Sequence, residues 1–377
     1  MYYRGNENIL RAEKAAILNS RQSKTPCGID PWLKKTFGAV YDAVTQGYTI
    51  ITSIGMNTWE FLVWAARFNN GPQIIVLPIT DKEDEDQLIS ELIHDYELDR
   101  ELTGFMFFKV AKKGHRGKSA WSERDRTVVS LANHIYPVSL RTNGNLEKLI
   151  LENPAKVTRA TLDYNVNYDP AGHRPDCAID LEKVNPILRD ESWNYLTHYT
   201  RTAYRSWPGE SSAAYYHALF CAESSYPRSA LDTLRRIVEM KKLWASYYHI
   251  RGGYKVVSFT AQPPLEALKL LRWRPRYVRW NFEPYAVAIH KDYAMNMGVR
   301  PVIYAPPDDF HKLKDEDKPF YQNPGERGTD WRPEKEWRYH GNFSFEDIPA
   351  DKIKVLVKSE QDNLTCEYPC IPITELG

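Results

Sequence analysis

The stretch DWRPEKEWRYH (residues 330–340) sets two glutamates, Glu334 and Glu336, two positions apart between tryptophans and arginines. On a strand, alternate residues share a face, so both carboxylates project together while Lys335 and Trp337 face the other way. That arrangement aims two acids into a cleft. The alternative is an exposed edge strand whose glutamates pair with Arg332 and Arg338. A second chemical signal lies upstream, where residues 228–280 hold twelve Lys or Arg against Asp232, Glu239 and Glu266. Within it, LLRWRPRYVRWNFEPY interleaves Arg272, Arg274, Arg276 and Arg279 with Trp273 and Trp280. Arginines can contact phosphates while aromatic rings stack on bases, which is the pattern of a nucleic-acid surface. The competing reading is an arginine and tryptophan ladder packed against the acidic segment 81–101 as a domain interface.

A third signal is TSIGMNTWE, a small-residue turn entering a helix, where Ser53 and Gly55 could present backbone N–H groups to a phosphate. It lacks a full glycine fingerprint, so an ordinary tight turn explains it equally well. Arg124 and Arg126 either reach a ligand or bracket Asp125 on a solvated helix start. Arg141 precedes the turn dipeptide Asn143-Gly144. The loop AKKGHRGKSAW (111–121), with five basic residues and no acid, suits either phosphate contact or a solvated surface.

These residues must be positioned by a chain of 377 residues, long enough for two domains. Apolar residues make up 42% and aromatics 13%. Lys plus Arg number 50 against 49 Asp plus Glu, so whole-molecule charge favours no acidic partner and local charge must carry that question. The five cysteines are scattered with no zinc-site spacing, which fits a reducing cytoplasm and predicts no metal site. No run of 18 apolar residues occurs and the start, MYYRGNENILRAEK, is too polar for a signal peptide; neither a membrane span nor export is expected.

Apolar runs at 48–55, 73–79, 103–111 and 136–140 read as strands, with helical patterns between them. Strands alternating with helices indicate an α/β, doubly wound parallel sheet. From about residue 155 the rhythm changes to helices mixed with longer aromatic strands at 254–261, 285–291 and 300–305, with an amphipathic helix at 231–246. The expected domains are 1–160 and 189–377, joined by a linker over 161–188, with a long polar loop at 305–330.

The motif order ITSIGMNTWEFLVWAARFNNGPQIIVLP, then WSERDRTVVSLANHIYPVSLRTNGNLEKLI, resembles the DNA-processing protein A family and its Rossmann-like nucleotide-sensing relatives. The resemblance implies that Ser53, Gly55, Arg124, Arg126, Arg141, Asn143 and Gly144 line a ligand site. In the C-terminal half, LTHYTRTAY (196–204), VVSFTA (256–261) and WRPEKEWR (331–338) occur in an order that resembles the ADP-ribosyltransferase-like superfold. That resemblance implies an α+β split sheet around a cleft for NAD. His198 or Arg201 would hold ribose and phosphates, Ser258, Phe259 and Thr260 would sit by the nicotinamide, and Glu336 would be catalytic with Glu334 in support. Tyr199, Phe259 or Tyr254 would stack on the nicotinamide. Cleavage of the glycosidic bond develops oxocarbenium character that a carboxylate stabilises, and a carboxylate can also deprotonate the incoming nucleophile.

Three functions compete at this stage. One is an NAD-dependent transferase that modifies DNA or a nucleotide, attached to a Rossmann-like nucleotide- or DNA-binding domain. Another is a base-modifying enzyme of a DNA-modification or phage-defence gene cluster, without NAD and with the other proteins of that cluster as partners. The third is a non-catalytic nucleic-acid or nucleotide-binding module.

Overall fold

The computed structural model describes all residues except 81–83, 110–117, 171–173, 249, 326–329, 363 and 376–377. Most of the basic loop 111–121 therefore lies outside the described residues. The chain forms two compact units, Met1–His173 with Tyr204–Pro227, and Arg174–Ala203 with Arg228–Gly377. This differs from the expected boundaries at two places. Helix Ser212–Cys221 belongs to the first unit because Tyr215, Tyr216 and Leu219 complete its core. The second half of the expected linker belongs to the second unit, where Val184 and Leu188 are core residues and Asn185 N–H donates to the Ile373 carbonyl at 2.9 Å.

In the first unit six strands are ordered β1-β5-β4-β3-β2-β6. They are β1 (Tyr2–Arg4), β2 (Lys14–Asn19), β3 (Thr49–Ser53), β4 (Gln73–Ile79), β5 (Thr103–Lys109) and β6 (His134–Ser139). Strands β2 to β6 run parallel and β1 adds antiparallel to β5. Residues 50–53 and 73–77 are buried on both faces, as helix-covered parallel strands require. The architecture is mixed α/β and Rossmann-like. β2 has no counterpart in the sequence reading: its run KAAILN is short and follows a polar start, yet it lies between β3 and β6. The chain reverses direction across the sheet between β2 and β6, so the crevice expected of an open α/β sheet lies there. Ser20 spans it, its N–H donating to the Ser139 carbonyl and its Oγ accepting from the Arg141 N–H.

The second unit is α+β. Its seven-stranded sheet comprises β7 (Tyr195–Tyr199), β8 (Val256–Thr260), β9 (Ala286–His290), β10 (Arg300–Pro301), β11 (Glu336–His340), β12 (Ile353–Ser359) and β13 (Cys370–Thr374). The spatial order is β10-β11-β8-β7-β9-β12-β13, antiparallel throughout except for the β12–β13 pair. β8 and β11 are paired along five residues, and so are β7 and β9. β7 and β8 share only the Thr197–Thr260 pairing, so the sheet parts between them.

Two expectations about local structure are corrected. The helix expected through Ser246 ends at Met240, where Lys241 adopts a left-handed conformation (φ +48°) and the next two residues pair with Phe343–Ser344. The polar loop 305–330 contains the 3₁₀ turns Pro307–Lys312 and Lys318–Phe320, which bury Phe310, Phe320 and Tyr321. Among the described residues no helix is long and apolar enough to cross a membrane.

Candidate active site at the parting of the second sheet

Glu334 is not on a strand. Pro333 lies inside a 3₁₀ turn, Arg332–Glu334, and Lys335 takes a left-handed conformation (φ +42°) before β11 begins at Glu336. The turn is fastened to β8: Thr260 Oγ1 donates to the Glu334 carbonyl and Gln262 Nε2 to the Pro333 carbonyl, both at 2.6 Å. Both carboxylates still reach one cavity of about 510 Å³, a size ordinary for a small-molecule site. His198, Ser258 and Arg201 line the same cavity. The three remote sequence motifs therefore converge, though through a turn and not through the strand alternation expected for the glutamate pair.

Glu336 is the centre of a dense network. Its Oε1 accepts from Ser258 Oγ at 2.8 Å and from Arg338 Nε at 2.8 Å, and its Oε2 accepts from Arg338 Nη2 at 3.0 Å. Arg338 is only 1% exposed. Its remaining donors go to the Tyr321 carbonyl (2.7 Å), the Pro319 carbonyl (3.3 Å) and Gln322 Oε1 (2.7 Å). The exposed-edge alternative is thereby corrected: Glu336 does pair with Arg338, but in the interior, while Arg332 pairs with Asp330. Arg338, named in the sequence only as a partner on an exposed edge, is the most consequential residue not placed in the site, and it had a signal, since a residue two positions beyond Glu336 on a strand shares its face.

Glu334 sits in a different electrostatic setting. Burial raises its pKa, the neighbouring Glu336 charge raises it further, and Arg272 and Arg274 oppose both effects. His198 Nδ1 lies 2.8 Å from the Ser258 carbonyl, to which it can only donate. Burial, reinforced by Arg201, pushes the pKa of His198 down to about 4 against the opposing effect of that hydrogen bond, so the ring is neutral with Nε2 as its acceptor. Tyr199 packs against Phe282 at an interplanar tilt of 36° with centroids 4.5 Å apart, and its buried hydroxyl has no partner among the described residues.

Phe259 and Thr260 are among the residues lining the cavity, and the Phe259 ring meets His198 edge-on at 6.0 Å, but the main contacts of several expected residues fall elsewhere. The Phe259 ring is 2% exposed and packs in the core against Phe343, because it alternates to the opposite face from Ser258. The Thr260 hydroxyl is committed to the Glu334 turn and to Gln262 N–H. Tyr254 packs against His340 and does not line the cavity. The other aromatic side chains lining the cavity are Tyr199, Phe282, Tyr248, Tyr277 and Trp331. Trp273 and Trp280 are half-buried and in contact with the Arg174 guanidinium, 4.3 and 4.7 Å from their rings, and Trp280 Nε1 donates to the Pro175 carbonyl.

The arginines of the same segment have a different placement. Trp273–Arg274 and Arg279–Trp280 form a short antiparallel hairpin that brings Arg274, Tyr277 and Arg279 to the cavity wall. Arg272 and Arg274 lie over Trp331 at 5.5 and 4.8 Å. Arg276 lies 5.9 Å from the Tyr277 ring. The residues read as a separate nucleic-acid surface thus contribute in part to the carboxylate-bearing cavity.

The expected phosphate turn of the first unit is filled from within. Gly55 has the positive φ (+91°) the turn needs, but its N–H donates to Glu60 Oε1 at 3.0 Å, and the other oxygen of that carboxylate accepts from Tyr216. Ser53 is fully buried and donates to the Val76 carbonyl. Arg124 is 3% exposed, bonded to the Ile54 carbonyl and Asp125, and stacked over Trp59. Of the expected set Gly55, Arg126, Arg141 and Asn143 are exposed. Asn143 takes the left-handed turn conformation, its N–H bonded to Glu147, and Gly144 N–H closes on the Arg141 carbonyl.

No family model matches the chain, and no curated protein matches it. Among solved structures, DNA processing protein A from Helicobacter pylori, described for its single-stranded DNA binding mode, is similar at 15% identity and a TM-score of 0.31 over 41% of this chain and 69% of its own. DNA processing protein A from Streptococcus pneumoniae is similar at 18% identity and a TM-score of 0.30, over 41% of this chain and 52% of its own. The molybdenum cofactor carrier protein from Chlamydomonas reinhardtii is similar at 12% identity and a TM-score of 0.26, over 42% of this chain and 89% of its own. These are distant likenesses of fold.

Proposed function

We propose that the second unit binds a nucleotide, with NAD as the candidate, and acts as an ADP-ribosyltransferase-like enzyme whose acceptor is nucleic acid. The observation that carries this reading is the parting between β7 and β8, where His198, Ser258 and Glu336 meet from three remote segments around one cavity. The residues fit the ligand class. Tyr199 and Phe282 offer an aromatic surface, the neutral His198 offers an acceptor at Nε2 for a ribose hydroxyl, and Arg201, Arg274 and Arg279 offer cations for phosphates.

In this reading the Glu336 carboxylate, oriented by Ser258 and Arg338, faces the ribose carbon as its bond to nicotinamide breaks. The bonding electron pair leaves with nicotinamide, and the carboxylate opposes the positive charge left at that carbon. An acceptor lone pair closes the new bond while its proton passes to Glu334, whose raised pKa suits a proton acceptor. Titration calorimetry with NAD, followed by chromatographic assay of released nicotinamide, tests the reading. Absence of binding at millimolar NAD would remove it.

One observation favours a second reading. The Glu336 charge is already matched by a buried arginine, an arrangement that also suits a nucleotide sensor without turnover; binding with no nicotinamide release selects it. For the first unit the proposal is coarser: nucleotide or DNA binding at the carboxyl edge of its sheet, where Arg141 is exposed.

A further inference from the structure

Tyr247 and Tyr248 are 62% and 61% exposed, two large rings side by side in sequence. Their segment is fixed in place. Ser246 exchanges two backbone hydrogen bonds, of 3.0 and 3.1 Å, with Val256 at the start of β8, and Tyr248 N–H reaches Ser246 Oγ at 3.2 Å. The segment is therefore anchored beside the strand that carries Ser258; Tyr248 lines the cavity and Tyr247 is its exposed neighbour in the chain.

The hairpin 273–280 supplies positive charge at the same place. The Arg279 guanidinium lies 5.8 Å from the Tyr248 ring and 5.3 Å from the Tyr277 ring. Arg272, Arg274, Arg276 and Arg279 all rest on aromatic rings, and none closes an ion pair with a carboxylate among the described residues. At the hairpin tip Val278 is 50% exposed at a φ of +51°, a conformation that strains a β-branched residue. An occupant that satisfies both features must carry a regular series of negative charges and flat faces for the rings. Phosphates and unstacked bases meet that description, whereas a duplex keeps its base faces covered.

We propose that the rim formed by Tyr247, Tyr248, Arg276 and Arg279 is a landing platform for single-stranded nucleic acid, which it leads to the cavity holding Glu334 and Glu336. The proposal rests on the reading of that cavity as a nucleotide-directed active site and narrows its nucleic-acid acceptor to a single strand. The base-stacking role expected of Trp273 and Trp280 moves to the two tyrosines, which are well exposed where the tryptophans are half-buried against Arg174.

The test uses the full chain and a fluorescent single strand of about 20 nucleotides, longer than the roughly 4–16 nucleotides one such module covers. DNA, RNA of the same sequence, and duplex are the three arms. Single strands are expected to bind at least about tenfold more tightly than duplex, with the DNA and RNA arms identifying the natural strand. Tyr247→Ala and Tyr248→Ala should each weaken binding about tenfold or more. Arg276→Gln and Arg279→Gln should each flatten the log–log salt dependence by about 0.7. Duplex binding as tight as single-strand binding, or tyrosine variants that bind as the parent does, would overturn the platform. NAD calorimetry on the same preparation separates the two ideas: NAD binding without strand binding overturns the platform alone. Tyrosine-dependent strand binding without NAD binding upholds the platform and removes the NAD reading.

Discussion

In Glu336→Gln the side-chain amide keeps one acceptor oxygen but turns an N–H towards the Arg338 fork. Arg338 would then hold its charge at 1% exposure without a counter-charge, its partners being the Pro319 and Tyr321 carbonyls, Gln322 and at most that one amide oxygen. Removing one member of a buried ion pair costs about 3–5 kcal/mol. The Glu336 side chain is 16% accessible and three other acceptors remain, which lowers the expectation to about 2–4 kcal/mol. For the 180 residues of the second unit, at about 2–4 °C per kcal/mol, the melting temperature should fall by about 5–15 °C. Scanning calorimetry can resolve the transition of that unit. The contrast is Glu334→Gln. A carboxyl whose folded pKa is raised costs stability above its unfolded pKa, so removing its charge should be neutral or stabilising at pH 7 and without effect at pH 3. In Glu336→Gln with Arg338→Met the charge itself is gone, and the double variant should recover stability relative to Glu336→Gln by about 1–3 kcal/mol. A Glu336→Gln protein melting within about 1 °C of the parent would refute the argument, since an interior cation cannot lose its counter-charge at no cost. The sequence alone suggests that this glutamate is dispensable for folding; the Arg338 network reverses that expectation.

Other outcomes follow from the same structure. His198 binds its proton at about 4 in the folded chain and at 6.5 when unfolded, so stability should fall as pH drops from 6.5 towards 4, by up to about 3 kcal/mol, and no further below that. Urea titrations of the parent against His198→Gln isolate this contribution, and identical pH profiles would exclude it. Arg124→Ala should destabilise the first unit by about 1–3 kcal/mol, because the side chain is buried and bonded to the Ile54 carbonyl; Arg126→Ala, at an exposed position, should stay within about 0.5 kcal/mol. Gly55→Ala should cost about 1–2 kcal/mol, since its φ of +91° disfavours any side chain although the space is open, as thermal melts would show. On the proposed reading of the cavity as an NAD site, Arg274→Gln should weaken NAD binding, and unchanged calorimetric affinity would remove that arginine from the site.

Local patterning carried much of the fold. The apolar runs at 50–53, 73–77 and 103–108 read as strands, which the structure buries along their length, and their alternation with helices implied the parallel sheet. The order of LTHYTRTAY, VVSFTA and WRPEKEWR likewise marked three segments that do meet. These features are legible because periodicity and residue type act over a few neighbouring positions. Tertiary structure decided what each side chain does on arrival. Glu334 left the strand because Pro333 closed a turn that Thr260, 74 residues earlier, then fastened. Trp273 and Trp280 were taken by Arg174, roughly a hundred residues upstream. The Gly55 amide went to Glu60, whose carboxylate Tyr216 holds from a segment that returns to the first unit after its chain has passed through the second. Arg338 was visible as a same-face neighbour of Glu336, but its burial depended on the 319–322 carbonyls and Gln322 closing over it. A hydrogen-bonding group takes whichever partner folding delivers to it, and partners this remote in sequence are set by how the chain closes on itself, which no local pattern encodes.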